Sequence, residues 1–180
     1  MKKIEKKVLL DNTENHIIMG DLNGRTNIVN DFVVDESDKH SPINNPIYRK
    51  DIPLSRNNQD LKPVDQQGKI IIEFCKSASY TILNGRTQGD MSGKYTRYPK
   101  KMGEMPSVID YSICGSNVID QVHSFSVLPF TGMSDHCCIS TCVRVNIADE
   151  MDVEDDNENV HPINVKYTYD KRHKKGLKTT

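Results

Sequence analysis

Short apolar runs broken by polar residues dominate this chain, and one segment carries a helical period. In "GKIIIEFCKSAS" (68–79) apolar residues fall at 70, 71, 74, 75 and 78, a 3.6-residue stripe that predicts a helix. The other runs predict strands. "HIIMG" (16–20) is an apolar run bounded by turn residues and reads as a buried strand. "YTILNGR" (80–86) is a short strand ending at Asn84-Gly85, and "GKYTRYP" (93–99) alternates Tyr95 and Arg97 with Thr96 and Tyr98. "SVIDYSICG" (107–115), "HSFSVLPF" (123–130, stopped by Pro129) and "SDHCCISTCVRV" (134–145) complete the set. One helix followed by strands predicts an α/β fold, mostly antiparallel sheet packed on helix.

Residues 35–67 hold Pro42, Pro46, Pro53 and Pro63 among many Asn, Asp and Ser, which predicts a long loop. The ends differ from the middle. Residues 1–13 form a charged N-terminal segment. "ADEMDVEDDNENV" (148–160) carries seven acids and "KYTYDKRHKKGLK" (166–178) is basic. The region 148–180 therefore reads as a solvated, disordered tail. Its basic run would touch phosphates non-specifically, and "KRHKK" (171–175) resembles a nuclear signal.

Composition sharpens this picture in three ways. Apolar residues are 36% of the 180, below the roughly 45–50% of an average globular chain counted with glycine, so part of the chain is expected to be unpacked. The net charge of −1 gives no global pull toward nucleic acid, although a nuclease needs only a local positive rim. Five cysteines, an odd number without C-x-x-C spacing, read as free thiols in a reducing compartment. A zinc site around His136, Cys138 and Cys142 fits no zinc spacing. The start "MKKIEKKVLL" lacks an apolar h-region, and no run approaches the roughly 20 residues of a spanning helix. The expectation is an intracellular chain, nuclear or cytoplasmic, with no membrane partner.

Three strand-like segments share one oddity: each is interrupted or bounded by an acid. They are "IIMGDLN" with Asp21 and Asn23, "SVIDYSI" with Asp110, and "GMSDHCCI" with Asp135 and His136. A carboxylate in or beside an apolar strand is costly unless it is paired or binds a cation. Singly, each has a plain reading: Asp21 to Gly24 makes a good turn, Asp110 suits an edge strand, and Ser134 to His136 suits a surface loop. A calcium loop is excluded at Asp21, because Phe32 stands where its glutamate belongs. Together the residues have the parts of a phosphodiester hydrolase. Asp21 orients or deprotonates a water, Asn23 donates to a phosphoryl oxygen, and Asp135 holds Mg²⁺. His136 faces the scissile phosphate, with Asp110 fixing its tautomer. Arg25, Arg86 and Arg97 are candidates for the phosphate path, and Ser107 for a further substrate contact.

"GDLN", "SVIDYSI" and "SDHCCI", in that order, resemble the last three motifs of the endonuclease/exonuclease/phosphatase superfamily. "GDLNGRT", "GKIIIEFCKSASYTILNGRTQGDMSGKYT" and "SVIDYSICG" resemble, more narrowly, the apurinic-type endonuclease domain of non-LTR (LINE-like) retrotransposons. The resemblance covers about residues 14–147. It implies a four-layer α/β-sandwich that cuts DNA with Mg²⁺ or Mn²⁺ and no small-molecule cofactor. It gives Asp21 and Asn23 to catalysis and phosphate contact, Asp110 to the support of His136, and Asp135 to the metal and phosphate site. The family's earlier motifs, including a metal-binding glutamate, have no counterpart before Asp21. The expectation is the C-terminal half of the domain, impaired as a nuclease. The alternatives are a non-catalytic remnant that binds nucleic acid, or another phosphatase of the superfamily.

Overall fold

Strand β3 (Asp110–Gly115) is buried along its whole length and is the axis of the structure, a computed structural model described for residues 15–33 and 55–145. Its partners are β1 (Ile17–Asp21) on one side and β2 (Tyr80–Ile82) on the other, both antiparallel, in the order β1-β3-β2. Helix α1 (Gln66–Ala78) precedes β2. A 3₁₀ turn (Ile119–Gln121) leads into β4 (Val122–Val127), which pairs antiparallel with β5 (Ile139–Val143) as a separate ribbon. The described residues are thus a mixed α/β arrangement of antiparallel strands and one helix.

The alternation of β3 divides its side chains between two cores. Directly opposed residues of a ladder share a face. Ile18, Ile82, Tyr111 and Ile113 lie on one face and pack with Ile71, Ile72, Phe74 and Cys75 of α1. The opposite face presents Cys114, which packs with Leu83, Phe125, Val127 and Cys137 of the ribbon side. Each fully buried aliphatic or aromatic side chain contributes roughly 1.5–3 kcal/mol. Tyr111 anchors the helix-side core by its polar tip as well. Its hydroxyl donates to a backbone carbonyl, with those of Gly24 and Val108 both 2.7 Å away, and burial pushes its pKa up to about 12.

Helix α1 begins two residues earlier than its stripe predicts, because Asp65 caps it. The Asp65 carboxylate accepts from the Gly68 N–H at 2.7 Å and from the Arg25 N–H at 3.1 Å. Gly68 is required there, since a Cβ would collide with the Arg25 carbonyl. The helix ends at Ser79, left-handed at φ 53°.

Other expectations are corrected. The run at 16–20 is not a buried strand: β1 is a sheet edge, with Ile17 38% and Met19 51% exposed. Residues 93–99 form no regular strand, and Arg97 makes only isolated bridges to Ser107 and His136. The regular part of 134–145 is confined to β5, with a loop before Cys137. Residues 34–54 of the expected loop, the charged segment up to residue 14, and the tail from residue 146 lie outside the described residues. Among the described residues no helix is long and apolar enough to cross a membrane.

Candidate active site

Asp21 and Asp110 sit directly opposite each other where β1 and β3 pair, so their carboxylates share the sheet face turned toward the ribbon. His136 reaches the same point from the loop before β5. Its Nδ1 lies 3.1 and 3.0 Å from the two oxygens of Asp110. A ligand atom from each of Asp21, Asp110 and His136 falls within 4.8 Å of the other two. Three segments far apart in sequence therefore converge.

Local backbone chemistry explains each position. Asn23 is left-handed at φ 56°, a region asparagine tolerates well. Its N–H donates to Asp21 Oδ1 at 2.9 Å, which closes an Asx turn and fixes one carboxylate oxygen. The turn reading and the site reading of this stretch thus describe one geometry. Ser134 Oγ accepts the His136 N–H at 3.1 Å, closing a similar turn. The start of β3 is pinned by Asn84, whose buried amide donates to the Asp110 carbonyl at 3.0 Å and accepts the Ser112 N–H at 3.2 Å.

Burial raises the Asp110 carboxyl above its ordinary value, and the nearby Asp21 charge adds to that. Hydrogen bonds with Thr96 and His136 act in the opposite direction. Two carboxylates and an imidazole this close form a donor set suited to a divalent cation, which would relieve the repulsion between the acids. Asp21 is exposed and keeps lone pairs beyond the one that accepts from Asn23.

The remaining sequence candidates fall elsewhere. Asp135, expected on the metal, lies outside this group among the described residues. Its Oδ2 accepts from Arg97 Nε at 3.0 Å, and this bond holds its carboxyl below the usual range. Arg97 also donates to Glu104 at 2.9 Å. Arg25 is held by Asp60 at 2.9 Å. Arg86 is no part of a phosphate path, because it is sealed in a buried pair with Asp31. Ser107 is 0% exposed and bridges to Arg97 through its backbone, so no substrate reaches its hydroxyl. The zinc alternative finds no support: all five cysteines are free, and none belongs to a metal-holding group among the described residues.

Sequence reasoning missed Asn84 and Thr96. Asn84 could have been found as a polar residue closing the apolar run "YTIL". Thr96 carries no comparable signal, since threonine is common in strands. Compared with known protein families, with curated proteins and with solved structures, the chain finds no match in any of the three.

Proposed function

We propose that this chain hydrolyses phosphodiesters of DNA with Mg²⁺ or Mn²⁺, as a member of the endonuclease/exonuclease/phosphatase superfamily on its retrotransposon branch. The observation that carries this reading is the contact of His136 Nδ1 with both Asp110 oxygens, beside Asp21. The order of the "GDLN", "SVIDYSI" and "SDHCCI" motifs supports the same reading. We extend the proposal to the four-layer sandwich of that superfamily. The exposed Ile17 and Met19, on the face of β1 away from the helix, support a further layer there.

The roles follow from the atoms. Asp110 occupies Nδ1 and holds the ring, which leaves His136 Nε2 to face the phosphate. Asp21, steadied by the Asn23 N–H, orients the attacking water and takes its proton. The Asn23 side chain donates to a phosphoryl oxygen. Asp21, with Asp110 beside it, would hold a divalent cation, whose chemistry there would be charge neutralisation on the phosphate.

A supercoiled plasmid tests this directly. The full chain is expected to nick it with Mg²⁺ or Mn²⁺, to stop on chelation, and to lose activity on His136→Ala. Nicking unchanged by His136→Ala, or none with either ion, sinks the reading. A second reading, binding of nucleic acid without cleavage, is favoured by the engagement of Asp135 with Arg97. It predicts metal-independent DNA retention with no nicks. Turnover of a soluble phosphomonoester in place of plasmid would move the chain to the phosphatase branch.

A further inference from the structure

We infer that Arg25 is the contact for a second phosphate of the substrate, the one next along the strand to the phosphate that is cut, and that Asp60 is its positioning residue. The inference rests on the proposed hydrolysis and narrows its substrate class: a polynucleotide with phosphates beside the scissile one, not an isolated phosphodiester.

Arg25 lies at the end of the sheet where β1 finishes at Asp21 and β3 begins at Asp110. It follows Asn23 by two residues, so their Cα atoms are within about 7 Å of each other. Its backbone is held. The Arg25 N–H donates to Asp65 Oδ2 at 3.1 Å, and its carbonyl accepts the Asp65 N–H at 3.3 Å. The side chain is held from the other flank. Asp60 Oδ2 accepts from Arg25 Nε at 2.9 Å and from the Val108 N–H at 3.2 Å. One oxygen therefore joins the guanidinium to a backbone group two residues before Asp110. Asp60 Oδ1 accepts the Lys62 N–H at 3.3 Å, and the Asp60 N–H donates to Asn58 Oδ1 at 2.8 Å. With its side chain 3% exposed and both oxygens engaged, Asp60 is a fixed post.

That post engages only Nε. Nη1 and Nη2 of Arg25 have no partner among the described residues, and the side chain stays 25% exposed. The other two arginines differ. Arg86 is sealed with Asp31, and Arg97 gives both Nε and Nη1 to acids. A guanidinium tied at Nε keeps its terminal fork, which matches two oxygens of a phosphate. A nucleic-acid strand carries one phosphate per about 3.4 Å of axis. A phosphate neighbouring one held at Asn23 therefore comes within reach of this side chain.

Two measurements test this on the full chain with an oligonucleotide duplex in EDTA, so that nothing is cut. The first treats wild type with phenylglyoxal, which modifies accessible guanidinium groups, and follows Arg25 by mass spectrometry. Arg25 is expected to react, and DNA is expected to slow that reaction severalfold. An Arg25 that is unreactive alone, or equally reactive with and without DNA, overturns the inference. The second reads DNA affinity against salt by fluorescence anisotropy. Arg25→Gln is expected to weaken binding about tenfold at low salt and to flatten the slope of log affinity against log salt by about one, the loss of one phosphate contact. A folded Arg25→Gln with only a lower denaturant midpoint and an unchanged slope marks a structural ion pair and overturns it. Asp60→Asn separates positioning from charge. Removing an acid tightens DNA binding by charge alone, whereas a loosened Arg25 weakens it, so tightening overturns the role of Asp60. Should either variant fail to fold, the protection of wild-type Arg25 decides. Both readouts work without metal, so a chain that passes them and never nicks DNA sinks only the hydrolytic reading.

Discussion

The molecule holds two pairs built on a carboxylate, alike in reach and unlike in enclosure. Asp31 and Arg86 meet at 2.6 Å with side-chain exposures of 1% and 5%. Asp110 and His136 meet at 3.0 Å with exposures of 10% and 30%. In the first, the acid also accepts the Ile82 N–H at 2.7 Å, so the pair staples the chain near Asp31 to the sheet edge. In the second, the acid is nearly enclosed while the ring keeps a solvent side. The difference suits the proposed function, in which a site needs one partner held fast and the other with an atom left over.

The contrast breaks hardest at the sealed pair. Asp31→Ala leaves Arg86 buried and unpaired, which costs about 3–5 kcal/mol, readable as a lower denaturant midpoint. The double change Asp31→Leu with Arg86→Met costs less than the single one, because no charge is stranded. At the open pair the loss moves from stability to chemistry. Under the proposed function, His136→Ala is expected to lower nicking about a hundredfold or more and to leave the denaturant midpoint near wild type.

Acid sharpens the contrast further. Burial raises the Asp110 carboxyl above its ordinary value of 3.8, so the folded state binds its proton more readily than the unfolded one. The associated stability is fully present below that ordinary value and is lost as pH rises through the raised one. Asp110→Asn removes this slope, seen as a flatter melting-temperature curve across the acidic range. The smallest effect belongs to the half-buried pair of Arg97 and Asp135. The Arg97 guanidinium lowers the Asp135 carboxyl, so its contribution is present above the ordinary carboxylate range and lost as pH falls through the folded value. Arg97→Gln is expected to shift the melting temperature least of all and to remove a small salt dependence.

What the sequence disclosed depended on whether a residue's partner was local. The α1 stripe and the β3 run were legible because period and apolar content are properties of neighbours. The edge position of β1 was not, since "HIIMG" reads alike in a central or an outer strand until its neighbours are known. Asp21, Asp110 and His136 were legible as chemistry out of place in apolar runs. The pairing of Arg25, Arg86 and Arg97 was not legible, because an arginine shows its partner only when the acid arrives from elsewhere: Asp60, Asp31, and Asp135 with Glu104. Thr96 was missed for the same reason. Like Ser107 it is a small buried hydroxyl residue, and only the Ile109 and Asp110 N–H groups that its hydroxyl accepts distinguish it.

The pairing of β1 with β3 joins Asp21 to Asp110 across most of the described chain. Such a contact carries a larger loop-closure cost than a local one and is expected to form after it. The α1–β2 unit, which is local, is free to assemble well before it. The proposed site is therefore complete only once this long-range pairing has formed. A chain still being synthesised cannot hold Asp110 against His136 until the segment carrying His136 has emerged, so the proposed site is assembled only after most of the described residues have been made.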